Sequence, residues 1–223
     1  MSSISIYIQR IFIMVDYNSF FQFGDQTMLT TGVKVGRLLE DLKQFDDDWH
    51  QYNEFKPYIN RQGLCILNED GVNKPGPAIS SLGEWNHANG TNWQEEDFVV
   101  PTPVYEKCVD LQYLLDPILP YINRTHVLLM PPGGYFPPHR DSRIISPDTF
   151  RLIVPLQNTT PPWFRFMIED RTLHWSNGSV YLTNTTKEHM LFNAGTKDSL
   201  WIVINALVCD EMFQYVSDNL AIR

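Results

Sequence analysis

The runs THVLLM at residues 125–130, FRLIVPL at 150–156, GSVYLTN at 178–184 and SLWIVINALV at 199–208 decide the fold of this chain. Each run is short, rich in β-branched and aromatic residues, and bounded by turn-forming residues, a pattern that is typical of strands. Further runs of this kind lie between them, in WFRFMIED, RTLHW and HMLFN. Short, closely spaced strands predict a mainly β (α+β) fold, either a β-sandwich or a barrel-like jelly roll, in preference to an α/β fold.

The region before these strands predicts helices and loops. Apolar residues recur at helical spacing from Val35 to Phe45, which predicts one surface helix within about residues 35–60. Residues 65–105 are rich in Gly, Pro, Asn and Trp without a sustained period, so we expect long loops and short strands there.

A second helix is predicted at residues 106–119. Val109, Tyr113 and Leu115 are expected to face inward, and Pro120 is expected to end the helix. The predicted helices pack on one sheet of the β-rich part of the chain.

Length and composition favour one domain over residues 1–223. A chain of 223 residues that is 43% hydrophobic can bury one substantial core. We expect a helical and loop region at residues 1–120 and a jelly-roll core at residues 121–210 that carries the functional site.

Charge and cysteine content limit the partners and the compartment. The net charge of −9 makes nucleic acid an unexpected partner. The apolar stretch Met1–Val15 is interrupted by Gln9 and Arg10 and is shorter than the roughly 18–20 residues that cross a bilayer, so no membrane partner is expected. Three cysteines without a CxxC pair favour a reducing, cytoplasmic location. Met14 is an alternative start of translation.

One short motif indicates metal chemistry. His139 and Asp141 are two residues apart, so an extended strand places both side chains on one face. His189, at the start of a later predicted strand, is the candidate third ligand. Two histidines and one carboxylate form the ligand set of non-haem Fe(II) oxygenases. The same HxD spacing also occurs by chance, and isolated histidines such as His126 are more often surface or satisfied core residues.

Three blocks resemble a known family. PGGYFPPH at residues 132–139 is similar to the PGxxxxPH stretch of the aspartyl/asparaginyl β-hydroxylases, which are 2-oxoglutarate-dependent oxygenases with a double-stranded β-helix fold. WSNG at 175–178, followed eleven residues after its glycine by His189, resembles a second block of that family. FRLIVPL at 150–156 resembles the strand whose arginine contacts 2-oxoglutarate.

The resemblance implies roles for particular residues. His139 and His189 would be iron ligands, with Asp141 completing a triad that animal members of the family lack and the wider oxygenase superfamily has. Arg151 would bind a carboxylate of the cosubstrate. The family has an arginine about ten residues after the distal histidine, and Ser199 holds that position here, so Lys197 and Ser199 are expected to share its role.

The implied reaction consumes Fe(II)-bound 2-oxoglutarate and O₂, releases succinate and CO₂, and hydroxylates an unactivated C–H bond of a peptide side chain, Asp or Asn included, or of a small molecule. Two alternatives stay open at this point. One is a cupin-type metalloenzyme that does not use 2-oxoglutarate, and the other is a non-catalytic jelly-roll binding protein.

Weaker candidates surround the motif. Arg140 and Arg143 flank it, as binding residues or as solvated charges, while Asn193 and Asn205 alternate with apolar residues in late strands. The segment Ser81–Trp93 is a candidate substrate lid or an ordinary packing loop.

Overall fold

The computed structural model describes residues 15–22, 24–141 and 148–221. The alternative start at Met14 and the candidate Arg143 therefore lie outside the described residues. The strands of the described part are β1 (Gln26–Gly32), β2 (His50–Gln51), β3 (Gln62–Asn68), β4 (Val100–Pro101), β5 (Ile122–Met130), β6 (Tyr135–His139), β7 (Thr149–Gln157), β8 (Phe164–Ile168), β9 (Arg171–Thr172), β10 (Ser179–Thr183), β11 (His189–Asn193) and β12 (Ser199–Leu207).

The helices are short. The α-helices are α1 (Tyr17–Phe20), α2 (Val35–Leu42), α3 (Leu82–Asn89), α4 (Pro103–Lys107), α5 (Val109–Leu115) and α6 (Asp210–Asp218), and the 3₁₀ segments are Lys43–Asp48, Pro77–Ile79, Glu95–Asp97 and Asp116–Tyr121. No helix of the described ranges is both long enough and apolar enough to cross a membrane.

The strands form two antiparallel sheets. The larger sheet has the order β1-β10-β7-β12-β5-β3-β2, with β4 paired to β3, and the smaller sheet has the order β6-β11-β8-β9. Neighbours in these sheets are far apart in sequence, as in a jelly roll. The expected mainly β, jelly-roll fold is therefore confirmed, and each strand predicted after residue 121 is present.

Alternation along the central strands separates two cores. On β7, Leu152 and Val154 point to the helical side of the larger sheet, whereas Ile153 points to the smaller sheet. On β12, Ile202 and Trp201 divide in the same way. The first core lies under the helices, and the second fills the space between the sheets, where it includes Phe164, Phe166, Ile168, Leu191 and Trp175.

The N-terminal region differs from the prediction of helices and loops. β1 pairs with β10, and β3 pairs with β5 along most of its length, while β2 and β4 pair with β3, so four strands from before residue 121 belong to the larger sheet. The apolar run LCILN in β3 is buried on both faces and lacks the alternation that makes a strand easy to recognise. The jelly-roll core therefore does not begin at residue 121.

The observed helices are shorter than the predicted ones, and the second buries a different face. The first predicted helix corresponds to α2, which ends at Leu42. The second is divided into α4, α5 and a 3₁₀ segment. Val109 and Tyr113, predicted to face inward, are exposed, whereas Leu111 and Leu114 are buried beside the correctly predicted Leu115. A helix of two turns offers too few residues to define its apolar face from spacing alone.

Candidate active site

The three predicted metal ligands meet at the end of the smaller sheet. His139 ends β6, His189 begins β11, and the two residues are directly paired across these antiparallel strands. Asp141 follows two residues after His139, and its backbone N–H donates to the carbonyl of Thr185 over 3.0 Å. One ligand atom from each of the three side chains lies within 4.8 Å of the others.

Backbone carbonyls orient both imidazoles. Nδ1 of His139 lies 3.0 Å from the carbonyl oxygen of Pro137, and Nδ1 of His189 lies 3.0 Å from that of Lys187. Because a carbonyl only accepts, each Nδ1 carries the proton and each Nε2 keeps a free lone pair. This is how metal-ligating histidines are usually held. Phe166 stacks on the His189 ring with an interplanar angle of 5° and further restricts its rotation.

The charge states suit a divalent metal. Burial and the neighbouring His189 lower the pKa of His139 to about 4, so its imidazole is neutral at pH 7. Burial alone would raise the pKa of Asp141, but the Arg151 guanidinium and the two histidines lower it below the usual value, so the carboxylate is ionised. Nε of Arg151 lies 3.5 Å from Oδ2 of Asp141. Two imidazoles and one carboxylate form a donor set that fits Fe(II) or a similar first-row ion.

The triad opens into a cavity of about 340 Å³ between the two sheets. This volume is within the range of small-molecule sites. Arg151 and Arg140, both sequence candidates, line it, and so does Asn205. Ser81 and Leu82, at the start of the predicted lid segment, form part of its wall.

The far wall of the cavity contains a buried ion pair. Nε and Nη2 of Arg124 donate to the two carboxylate oxygens of Glu95 over 3.0 and 2.7 Å, and Nη1 donates to the Ser80 carbonyl over 2.8 Å. The amide of Asn205 donates to Glu95 over 2.8 Å. This network of Glu95, Arg124 and Asn205 is almost completely buried.

Two more residues of the cavity wall were not predicted as site residues. Arg61 and His126 are both buried, yet Nε of Arg61 and Nδ1 of His126 have no hydrogen-bond partner among the described residues. The expectation that His126 is a surface or satisfied core residue is therefore wrong. One signal was available, since Arg124 and His126 are two residues apart at the start of one predicted strand and therefore lie on one face of it.

Comparison with known proteins identifies the family. The sequence profile described as aspartyl/asparaginyl beta-hydroxylase matches residues 82–207, more than half of the chain. The chain belongs to the aspartyl/asparaginyl β-hydroxylase family. This membership makes it a hydroxylase-type oxygenase. No curated protein matched the sequence.

Several solved structures resemble this β-hydroxylase family member. A prolyl-4-hydroxylase from Pseudomonas putida has 10% identity and a TM-score of 0.45, covering 82% of this chain and 92% of its own. A 2OG-Fe(II) oxygenase family oxidoreductase from Burkholderia pseudomallei has 13% identity and a TM-score of 0.43, with coverage of 78% and 77%. A cupin domain from Bordetella pertussis has 20% identity and a TM-score of 0.30, with coverage of 39% and 81%.

The first and last residues of the WSNG block at 175–178 have structural roles. Trp175 packs against Phe166, with ring centroids 4.9 Å apart, and so supports the ring that stacks on His189. Gly178 has φ of +86°, and a Cβ there would lie 2.7 Å from the Val33 carbonyl oxygen, so only glycine fits this turn.

The structure does not bring Lys197 and Ser199 to the cavity of this family member. Lys197 is exposed in the turn before β12, and the buried Ser199 hydroxyl donates to the carbonyl of Asn158 over 2.6 Å. β11 leads away from the metal ligands and β12 returns, so Trp201, Val203 and Asn205 line the cavity in place of Ser199. Asn193 closes the same turn through the carbonyls of Met130 and Lys197 and does not line the cavity.

Proposed function

We propose that this protein is an Fe(II)- and 2-oxoglutarate-dependent dioxygenase. It hydroxylates an unactivated C–H bond of a peptide side chain, with Asp and Asn as first candidates, or of a small molecule, and releases succinate and CO₂. The observation that carries the proposal is the convergence of His139, Asp141 and His189, with two oriented imidazoles and one ionised carboxylate, on a cavity lined by both charged and apolar side chains.

The charge of the cavity supports a dianionic cosubstrate. Its described lining has five cationic side chains and two carboxylates, whereas the whole chain carries a net charge of −9. The cations are Lys56, Arg61, Arg124, Arg140 and Arg151, and the carboxylates are Glu95 and Asp141. A surplus of positive charge in a partly buried cavity favours a ligand with two carboxylates. The overall negative charge argues against nucleic acid as a substrate.

The chain's own residues hold and orient the reactants. His139, Asp141 and His189 would bind the metal, which supplies the oxygen chemistry when it is bound. The Arg151 guanidinium, which is 14% exposed and beside Asp141, would bind a carboxylate close to the metal. Phe166, Leu191 and Trp201 give this part of the cavity an apolar wall that excludes water from the reacting C–H bond.

The proposal is tested by succinate formation. Protein loaded with Fe(II) under anaerobic conditions and then exposed to air should convert 2-oxoglutarate to succinate even without the prime substrate, and His139→Ala should reduce this rate to background. His174→Ala, which changes an exposed histidine, is the matched control and should retain the rate. Metal binding without 2-oxoglutarate binding would favour a cupin-type metalloenzyme, and loss of both would leave a jelly-roll binding protein.

A further inference from the structure

Arg61 is a buried cation whose charge is not matched by an ion pair. Its residue is 7% exposed, and no carboxylate of the described residues lies within ion-pair distance. Its guanidinium lies 4.1 Å from the ring centroids of both Tyr52 and Phe136, which hold it on two sides. Burying an unpaired charge is costly, so a cation kept in this state indicates a ligand of opposite charge.

The other buried arginine of the cavity wall shows what is missing. Arg124 has the same exposure as Arg61, yet it donates to Glu95 through two nitrogens and to the Ser80 carbonyl through the third. Arg61 has the same fork of donors and no such acceptor. Burial lowers the pKa of Arg61, but arginine stays protonated at neutral pH.

Other unfilled hydrogen-bonding atoms lie on the same cavity wall. Nδ1 of His126 and Oδ1 of Asn205 are buried without a partner among the described residues, as is Nε of Arg61. The Tyr52 ring links two of these groups, since its centroid is 5.2 Å from that of His126 and 4.1 Å from the Arg61 guanidinium carbon. This part of the wall is polar and incompletely satisfied.

Arg61 is also close to the metal ligands. The Phe136 ring lies between the two groups, 4.1 Å from the Arg61 guanidinium carbon and 4.0 Å from the His139 ring centroid. Arg61 and His139 line one continuous cavity. A single aromatic ring, that of Phe136, therefore contacts both Arg61 and a candidate metal ligand.

The usual position for a distal carboxylate is closed in this chain. Ser199 stands where the family resemblance implies an arginine, and its hydroxyl is already bonded to the Asn158 carbonyl. Trp201, the next residue on the same face of β12, is 1% exposed and packs on Phe164 with ring centroids 5.5 Å apart. The Trp201 side chain therefore fills the space between the cavity and Ser199.

We propose that Arg61 binds the distal carboxylate of 2-oxoglutarate. Arg61, which directly precedes β3, would take the role of the arginine that the family resemblance implies at the position of Ser199. This inference rests on the proposed function, since it assigns one end of the cosubstrate. The carboxylate would supply the acceptors that Glu95 supplies to Arg124.

The experiment compares two ligands on Mn(II)-loaded protein, which binds without turnover, by isothermal titration calorimetry. 2-Oxopentanoate has the carbon chain of 2-oxoglutarate with a methyl group in place of the distal carboxylate. Arg61→Met should weaken 2-oxoglutarate binding by about 10–100-fold, as expected for a lost charge-assisted hydrogen bond, and leave 2-oxopentanoate binding unchanged. Arg61→Lys should retain part of the affinity, and Arg165→Met, at an exposed arginine of β8, should retain all of it.

Each other outcome has a defined meaning. An equal loss for both ligands would show that Arg61 only supports the cavity wall, and an unchanged affinity for 2-oxoglutarate would show that its carboxylate partner is not the cosubstrate. Either result overturns the inference and leaves the proposed function in place. Failure of the wild-type protein to bind 2-oxoglutarate would overturn both.

Discussion

The two faces of the larger sheet belong to the same strands, but one face is apolar and the other also carries polar side chains. Toward the helices, β12 presents Ile202, Ile204 and Ala206, all of them fully buried in an apolar core. Toward the smaller sheet, the same strand presents Trp201, Val203 and Asn205, which line the cavity. The helix-covered face contributes apolar burial, which stabilises the fold. The inner face, which is the face toward the smaller sheet, contributes less apolar burial because part of it carries polar groups.

The inner face itself changes along its strands. On β5, Leu128 and Met130 belong to the core between the sheets, whereas Arg124 and His126 line the polar part of the cavity. Three buried polar atoms without a partner among the described residues, Nε of Arg61, Nδ1 of His126 and Oδ1 of Asn205, belong to side chains of the cavity lining. Residues that stabilise the fold and residues that line the cavity therefore differ first in the strand face that they occupy and then in their position along the strand.

The largest effect is expected where the inner face depends on a buried charge. Glu95→Ala should destabilise the protein by about 3–5 kcal/mol, because Arg124 would remain buried without its carboxylate. Urea denaturation measures the change, and the exposed neighbour Glu96 provides the control as Glu96→Ala. A loss below about 1 kcal/mol would show that water replaces the carboxylate and that the pair is not essential.

Adjacent residues of β12 compare the two faces directly. Ile202→Ala should cost about 2–5 kcal/mol, because it leaves a void in a closed apolar core. Val203→Ala should cost about 1 kcal/mol, since it enlarges a cavity that already exists. Equal losses in chemical denaturation would contradict the division of the sheet into a stabilising and a functional face.

Metal addition should stabilise the protein through the candidate ligands that the smaller sheet presents to the cavity. At about one hundred times its Kd, Mn(II) should add about 2.7 kcal/mol of stability and raise the melting temperature of the wild-type protein. His189→Ala should abolish this rise because it removes one of three ligands, and His174→Ala should preserve it. A rise that persists in His189→Ala would place the metal elsewhere.

The smallest effect concerns acid sensitivity on the helical side. The hydrogen bond and charge of Arg37 lower the pKa of Asp110, whose side chain is 4% exposed. A lowered folded-state pKa means that this contribution is present above the unfolded value of about 3.9 and is lost as pH falls through the folded value. The melting temperature of Asp110→Asn should therefore lie below that of the wild-type protein at pH 7, and the difference should shrink below about pH 4. The exposed Asp47→Asn should show no such dependence.

The fold could be predicted where the local pattern is self-sufficient. The strands after residue 121 are separated by clear turn residues, whereas β3 runs into a stretch rich in Gly, Pro, Asn and Trp and is defined by its pairing with β5. Val109 and Tyr113 show the limit for helices, because in so short a segment the packing of neighbouring elements such as α2 and α4, and not the spacing, selects the buried face. Arg61 could not be predicted as a site residue, since nothing in its local sequence shows that it is buried beside His139.

The sequence by itself determined the strand pattern, the family blocks and the three candidate metal ligands, because each depends on residues that are close together or at a characteristic spacing. Only the tertiary structure decided which cations reach the cavity. Arg61 directly precedes β3 and Arg124 lies on β5, and the pairing of these strands brings both side chains to the cavity. Lys197 and Ser199 lie at the turn between β11 and β12, away from the cavity. Long-range pairing and the side-chain volume of Trp201 fix these positions, and neither is a property of a local stretch of sequence.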